Sequence, residues 1–179
     1  RTRYRDQAVI QLLLDTGVWR GELHRLQIGD VAVLENGTIR INIRPYRSGR
    51  KSGSRFVYLG RSSSGALKKY LELVRDKPER EEALFTTKAG MPMAKGTILK
   101  LVKRLGERVG IENVYLHRFR HTFAIMYLRN GGDVMTLQRL LGHSSFDMVT
   151  RYLKLAEADA ENQHIKSSPA DKWLRDQTL

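Results

Sequence analysis

Cysteine is absent from this sequence of 179 residues. The absence excludes a disulfide framework and a thiolate metal site, so the protein is expected to be stable under reducing conditions. Long hydrophobic runs are also missing, and the apolar residues are too dispersed for a transmembrane helix. The length suits one ordinary domain around a single core. These features predict a soluble, cytoplasmic protein without a membrane partner.

Acidic residues are in the minority: 19 Asp and Glu stand against 32 Lys and Arg, which gives a formal net charge of +13. An excess of this size favours a polyanionic partner, and nucleic acid is the leading candidate. Part of the excess falls in short clusters, although each cluster alone is equally typical of a solvated basic surface. From these clusters we expect contacts to DNA by Arg47, Arg50, Arg55, Lys95 and Arg118.

Hydrophobic periodicity predicts a mainly α-helical fold with a small three-stranded antiparallel β-sheet. Alternating Ile39, Ile41 and Ile43 follow the tight-turn signal Asn36-Gly37, which indicates a hairpin with one buried face. A glycine-rich, basic tip then leads to a third strand. The expected strands span 31–34, 39–43 and 56–59, and the expected helices span 6–14, 22–26, 66–75, 97–109, 116–129, 133–141 and 146–158.

Three short motifs near the C-terminal end carry side chains that can take part in a reaction, in the order H-x-x-R, L-G-H-S-S and R-Y. His117 and His121 are four residues apart on one helical face, a spacing that suits a divalent metal. Arg118 stands where a zinc-protease pattern needs glutamate, and two neighbouring arginines would repel a cation. No metal site is therefore expected, and a metal-dependent nuclease using the two histidines is the weaker alternative function.

The order of these motifs resembles the catalytic domain of the tyrosine recombinases, the phage integrase family. The steps of 26 residues from His117 to His143 and of nine residues to Tyr152 agree with the usual family spacing. The resemblance covers nearly the whole chain. It implies a catalytic domain over residues 1–162 that acts on double-stranded DNA, in a fragment that lacks the family's separate N-terminal DNA-binding domain.

The resemblance also implies a role for each matching residue. The Tyr152 hydroxyl would attack a DNA phosphodiester, leaving a 3′-phosphotyrosyl bond and a free 5′-hydroxyl. Arg120 matches a phosphate-binding arginine, whose guanidinium suits the negative charge that gathers on the phosphate. His117 matches the group that assists removal of the tyrosine proton, and His143 matches the histidine that hydrogen-bonds the phosphate. No cofactor is implied.

A further group of the family is a lysine on the β-hairpin, which protonates the departing 5′-oxygen. Counted back without gaps from R-F-V-Y-L, Arg50 occupies this position and Lys51 follows it. An arginine is a poor proton donor because it is essentially never deprotonated. We therefore assign the role to Lys51, with a one-residue adjustment in the glycine-rich tip, and place Arg50 on DNA phosphates.

The stretch T-G-V-W-R-G-E-L departs from the family pattern, because Trp19 stands where the first phosphate-binding arginine belongs. Tryptophan carries no positive charge. The next residue, Arg20, would point about 100° away on a helix, although a short turn would allow reorientation. Three explanations stay open: Arg20 takes over, the protein is a naturally defective relative, or the change was introduced into this copy. The main alternative function is thus a DNA-binding protein without catalysis.

The resemblance further implies self-association into a dimer or tetramer on DNA. The family passes its C-terminal helix between protomers, and the tail over residues 163–179 is expected to be exchanged in this way, with Trp173 and Leu174 as anchors. A tail folded back on its own domain is an equal alternative. With DNA as the partner, the protein is expected to be associated with the nucleoid.

Overall fold

The computed structural model describes residues 2–45, 54–143, 145–156, 164–165 and 168–170. Seven helices and one three-stranded antiparallel sheet lie in this part, which confirms the predicted fold class. The helices are α1 Thr2–Thr16, α2 Arg20–Arg25, α3 Arg61–Val74, α4 Lys95–Arg108, α5 Leu116–Arg129, α6 Val134–Leu141 and α7 Asp147–Ala156. The strands are β1 Val31–Val33, β2 Ile39–Ile43 and β3 Arg55–Leu59.

Strand β2 lies in the middle of the sheet, where Ile41 pairs with Val31 of β1 and with Val57 of β3. The three isoleucines of β2 are buried, as their alternation predicts, because successive side chains of a strand point to opposite faces. The other face leaves Phe56 and Tyr58 of β3 exposed. The sheet therefore contributes one face to the core.

Helix α3 begins five residues before its predicted start at Ala66, so the serine-rich segment belongs to the helix instead of preceding it. Ser64 is buried in the first turn, and its hydroxyl donates to the carbonyl of Leu59 over 3.2 Å. Helix α1 also begins earlier than the predicted start at Asp6. The carboxylate of Asp6 accepts hydrogen bonds from Arg5 and from Arg104 of α4. Polar side chains with partners allow these turns to be buried.

Two hydrophobic clusters make up the core of the described residues. The larger joins α1, the sheet, α3 and α4, and the smaller joins α5, α6 and α7. Helix α5 packs against both α1 and α7, so it connects the clusters. We call the place where the two clusters meet the junction. The motif H-x-x-R lies in the first turns of α5, at this junction. No helix of the described residues is both long and apolar enough to cross a membrane.

The short helix α6 ends close to this junction. Asp133 caps its start by accepting from the backbone N–H groups of Met135 and Thr136. Gly142 ends the helix in the left-handed conformation at φ 68°, a geometry that glycine adopts without steric cost. This stop places His143 directly after the helix, from where the chain turns into α7.

Candidate active site

Arg120 lies at the centre of the junction with only 2% of its surface exposed. Its Nη1 donates to the carbonyl of Gly17 over 2.8 Å, and its Nη2 donates to the carbonyl of Leu141 over 2.6 Å. These carbonyls lie at the C-terminal ends of α1 and α6, where backbone oxygens lack helical donors and the helix dipole is negative. The two bonds fix the guanidinium between two helix ends.

The third nitrogen of this guanidinium is still available. The Nε of Arg120 is buried and has no hydrogen-bond partner among the described residues. Burial lowers the pKa of Arg120 to about 10, while the carboxylate of Glu22 raises it and the cation of Arg55 lowers it. The group therefore stays charged at neutral pH. A buried cation with an unused N–H donor is suited to an anionic oxygen.

Tyr152 lies beside Arg120 on α7, with 6% of its surface exposed. Its ring is parallel to that of His143, at 6.3 Å between centroids and 13° between planes, and it lies 5.4 Å from the ring of His121. Burial raises the pKa of the Tyr152 hydroxyl, while the charge of Arg120 lowers it. The net increase keeps the phenol protonated at neutral pH, so its use as a nucleophile requires a proton acceptor.

The histidines around Tyr152 supply neutral imidazoles. Burial lowers the pKa of His143 to about 4, and the cations of Arg120 and Arg55 add to this effect. Its buried Nδ1 has no partner in the described part of the chain. Burial also lowers the pKa of His121, helped by His117 and Arg120. Uncharged rings of this kind can accept a proton or donate a hydrogen bond.

His117 and His121, the pair considered for a metal, contact each other edge to face with 4.3 Å between ring centroids. Within the described ranges no three His, Cys, Asp or Glu side chains are grouped so that they could hold a metal ion. The cations of Arg120 and Arg55 lie close enough to act on the His143 ring, and Arg120 also acts on His121. This surrounding favours an anion at the site.

Trp19 contacts two of the predicted site residues. Its ring stacks on that of His117, at 5.2 Å between centroids and 25° between planes. The Cζ atom of Arg120 lies 4.4 Å from the centroid of the indole. The backbone N–H of Trp19 donates to Glu22 over 2.8 Å, which anchors the residue at the start of α2.

Arg20 shares a cleft with these groups. Trp19 has an extended backbone, with φ −70° and ψ 150°, so the separation of about 100° expected for neighbours on a helix does not apply here. The exposed Arg20 begins α2 and lines a cleft of about 240 Å³ together with Trp19, His117 and Arg120. The remaining walls of this cleft are Val18, Leu99, Tyr115 and Leu116. The structure thus places a second cation at the same cleft as Arg120.

The predicted DNA contacts occupy different positions. Arg118 is exposed, and its Nη1 donates to the carbonyls of Glu112 and Asn113. Lys95 begins α4 and lies beside Gly21 of α2. Three residues predicted on the tip of the hairpin are Arg47, Arg50 and Lys51. They fall within residues 46–53, which lie outside the described residues. Their roles stay predictions.

Arg55 has an internal contact that its predicted role on DNA did not anticipate. Its Nη1 and Nη2 donate to the two carboxylate oxygens of Glu22 over 2.7 and 2.8 Å, and its Nε donates to the carbonyl of Leu140 over 2.7 Å. The side chains of Arg55 and Glu22 are 17% and 13% exposed. Arg55 thus connects β3 to α2 and α6 and brings a positive charge towards His143.

We expect Glu22→Ala to lower the free energy of unfolding by about 3 kcal/mol, because it leaves the cation of Arg55 poorly solvated and unpaired. It also removes the acceptor of the Trp19 N–H. Urea unfolding followed by circular dichroism measures the change. The control Glu107→Ala removes an exposed carboxylate and should change stability by less than about 0.5 kcal/mol.

Replacing both partners, as Glu22→Leu with Arg55→Met, should recover much of the loss, since an apolar pair leaves no buried charge. Equal stability of Glu22→Ala and the parent chain would contradict the internal role of Arg55.

The sequence motifs did not single out His121 as a neighbour of Tyr152, nor Glu22 as the partner of Arg55. The only signal for His121 is its position directly after Arg120 and four residues after His117, a spacing that also suits a divalent metal. Glu22 and Arg55 are 33 residues apart and lie on different elements, so no local pattern joins them.

Comparison with known proteins matches this chain over nearly its whole length. A family model described as the phage integrase family matches residues 1–159. The tyrosine recombinase XerA of Saccharolobus solfataricus is 34% identical over 165 residues, which cover 92% of this chain and 51% of that protein. The chain therefore spans about half the length of this relative.

Solved structures give the same match. The crystal structure of XerA recombinase is similar with a TM-score of 0.75 and 31% identity, over 94% of this chain and 58% of that one. XerH site-specific recombinase, bound to palindromic difH substrate in a post-cleavage complex, has a TM-score of 0.72 and 26% identity. That match covers 95% of this chain and 47% of the XerH chain.

Proposed function

This chain belongs to the phage integrase family, and from that membership we propose that it is a site-specific DNA recombinase that cuts and rejoins double-stranded DNA through Tyr152. One observation carries the proposal. The phenol of Tyr152 lies next to the rings of His143 and His121 and near the buried cation of Arg120 with its unused Nε donor. A nucleophile, proton acceptors and an anion-binding donor are thus grouped at one junction.

In the proposed reaction the hydroxyl oxygen of Tyr152 attacks a DNA phosphorus. A 3′-phosphotyrosyl bond forms, the bond from phosphorus to the 5′-oxygen breaks, and the phenol proton passes to an imidazole of the His117 and His121 pair. Arg120 donates from Nε to the phosphate oxygens, whose negative charge grows in the transition state. The neutral His143 donates to them from Nδ1, in the tautomer that carries its proton on that nitrogen. The predicted role of Lys51 is to protonate the departing 5′-oxygen.

The second half of the reaction reverses these steps with another strand. A 5′-hydroxyl attacks the phosphotyrosyl phosphorus, the bond to the Tyr152 oxygen breaks, and the phenol regains its proton. The energy of the broken DNA bond is kept in the phosphotyrosyl bond, so rejoining needs no cofactor. Two such exchanges between DNA duplexes amount to recombination.

We propose that Arg20 supplies the cation that the family pattern places at position 19. Its support is the cleft that Arg20 lines together with Trp19, His117 and Arg120. A phosphate bound in this cleft would contact the positive charges of both Arg20 and Arg120, and guanidinium groups suit phosphate oxygens. The alternative, a DNA-binding protein without catalysis, is favoured by the neutral indole of Trp19.

We expect Arg20→Ala to lower the rate of covalent adduct formation by about 10³-fold or more, a loss typical of a charge-stabilising arginine in phosphoryl transfer. The matched control is Arg108→Ala, which removes the same charge from the exposed end of α4. Single-turnover kinetics at saturating DNA separates this rate from DNA affinity. Equal rates for Arg20→Ala and Arg108→Ala would show that Arg20 plays no part in the chemistry.

The proposed function itself is tested with a pool of random-sequence DNA duplexes that carry sulfur in place of the bridging 5′-oxygen. A thiolate leaving group needs no protonation and rejoins poorly, so cleavage leaves the chain covalently attached to DNA. We expect an adduct that survives SDS, and sequencing of the trapped duplexes should give the preferred site. A complex that SDS and salt dissolve completely would favour the DNA-binding alternative, and cleavage that chelators abolish would favour the metal-dependent nuclease.

Double-stranded DNA is the proposed partner, with Lys95 and Arg118 at phosphates and a dimer or tetramer assembled on the duplex. This partner would keep the protein associated with the nucleoid. The proposed catalytic domain spans residues 1–162. Exchange of the tail, residues 163–179, stays a prediction, because most of that segment lies outside the described residues.

A further inference from the structure

Trp19 is held at both ends of its short connection. On one side the carbonyl of Gly17 accepts from Arg120, and on the other the carboxylate of Glu22 accepts from the Trp19 N–H while it pairs with Arg55. The indole is 42% exposed. The backbone around Trp19 is thus anchored on both sides, which limits the positions that its indole can reach.

The indole contacts one histidine and one arginine of the candidate site. Its ring stacks on His117, and its centroid lies 4.4 Å from the Arg120 guanidinium carbon. Arg120 uses both terminal nitrogens on carbonyls, and Nε is the guanidinium nitrogen that has no partner among the described residues. His117 is exposed on α5, and its ring contacts in the described residues are with Trp19 and His121.

We propose that Trp19 is a positioning residue, which holds the Arg120 guanidinium and the His117 ring at the orientations needed around the attacked phosphate. The inference rests on the proposed function. It divides the work of the family's first arginine between two neighbours: Arg20 supplies charge, and Trp19 supplies placement. Cation–π attraction and ring stacking are the physical basis, because both depend on an aromatic face and neither needs a charge at position 19.

The contact itself is tested by fluorescence on the chain without DNA. The sequence has two tryptophans, so Trp173→Phe leaves Trp19 as the single emitter. The stacked imidazole shields one face of the indole from water, so we expect the Trp19 emission maximum to shift to longer wavelength in His117→Gln. The emission of His121→Gln should equal that of the parent, because the His121 ring contacts His117 and is not stacked on Trp19. An unchanged emission maximum in His117→Gln, or a shift only in His121→Gln, would overturn the contact.

The positioning role is tested by adduct formation with the sulfur-substituted duplex pool. Trp19→Leu should lower the rate at saturating DNA by about 10²-fold, the scale of a small misplacement of reacting groups, with DNA affinity unchanged and at a temperature where both chains are folded. Trp19→Phe keeps an aromatic face and should stay within about tenfold of the parent. Trp19→Arg should give no gain, because it removes the ring and places another cation against Arg120.

The outcomes separate the two proposals. A parent chain that forms adduct while Trp19→Leu matches its rate, or while Trp19→Arg exceeds it, overturns the positioning role and leaves the proposed function standing. A parent chain that forms no adduct overturns the proposed function and the catalytic part of this inference together, whether or not His117→Gln shifts the Trp19 emission. A loss of rate that disappears at a temperature where melting curves show both chains fully folded would assign Trp19 to folding alone and so overturn the proposal.

Discussion

Tyr152→Phe should abolish the SDS-stable adduct with DNA completely and leave DNA affinity unchanged. The substitution removes the hydroxyl that would form the phosphotyrosyl bond, and no rearrangement of the remaining groups restores a nucleophile at that place. Phenylalanine keeps the ring that lies next to His143 and His121 and that belongs to the smaller hydrophobic cluster, so the fold should be preserved. Electrophoresis after trapping with the sulfur-substituted duplex measures the effect.

Tyr58→Phe is the matched control for this experiment, because Tyr58 is exposed on the outer face of β3. Its adduct yield should equal that of the parent chain. Mass spectrometry of the trapped peptide should locate the nucleotide on Tyr152. An adduct of normal yield in Tyr152→Phe, or a nucleotide mapped to another residue, would show that the nucleophile is wrongly assigned.

Arg120→Lys should lower the rate of adduct formation by about 10³- to 10⁵-fold, although it keeps the positive charge. A guanidinium holds two carbonyls and still presents Nε to a phosphate, whereas a single ammonium cannot donate in these three directions at that spacing. The carbonyls of Gly17 and Leu141 would lose buried donors, so the free energy of unfolding should also fall by about 1–3 kcal/mol. Single-turnover kinetics and urea unfolding measure the two effects.

Arg108→Lys provides the control at an exposed position on α4. To separate chemistry from folding, the rates are compared at a temperature where melting curves show both variants fully folded. A folded Arg120→Lys chain that reacts within tenfold of the parent would remove Arg120 from the proposed phosphate site.

The elements of the fold could be predicted well where one periodic signal dominates. Helix α5 has the bounds that the sequence predicts, Leu116–Arg129, and the alternating isoleucines lie in β2 with one buried face. The start of α3 could not be predicted, because Ser64 favours turns locally and enters the helix only after Leu59 supplies a partner for its hydroxyl. Local preference loses to a tertiary contact at that point.

The candidate site divides in a similar way. The motifs named His117, Arg120, His143 and Tyr152, and three elements bring these residues to one junction. The motifs could not show that Arg120 is held by Gly17, a residue 103 positions away, or that Arg55 turns inward to Glu22. Such contacts depend on how helix ends meet, and spacing along the chain contains no information about that meeting.

Periodicity, net charge and functional side chains are local properties, so the helical class, the basic character and the identity of the reactive groups follow from the sequence alone. The surroundings of Trp19 depend on the tertiary structure. In the sequence Trp19 is a missing charge; in the fold its ring contacts His117 and Arg120, with Arg20 on the same cleft. The orientation of a side chain relative to distant groups is fixed by packing, and packing exists only once the helices have met.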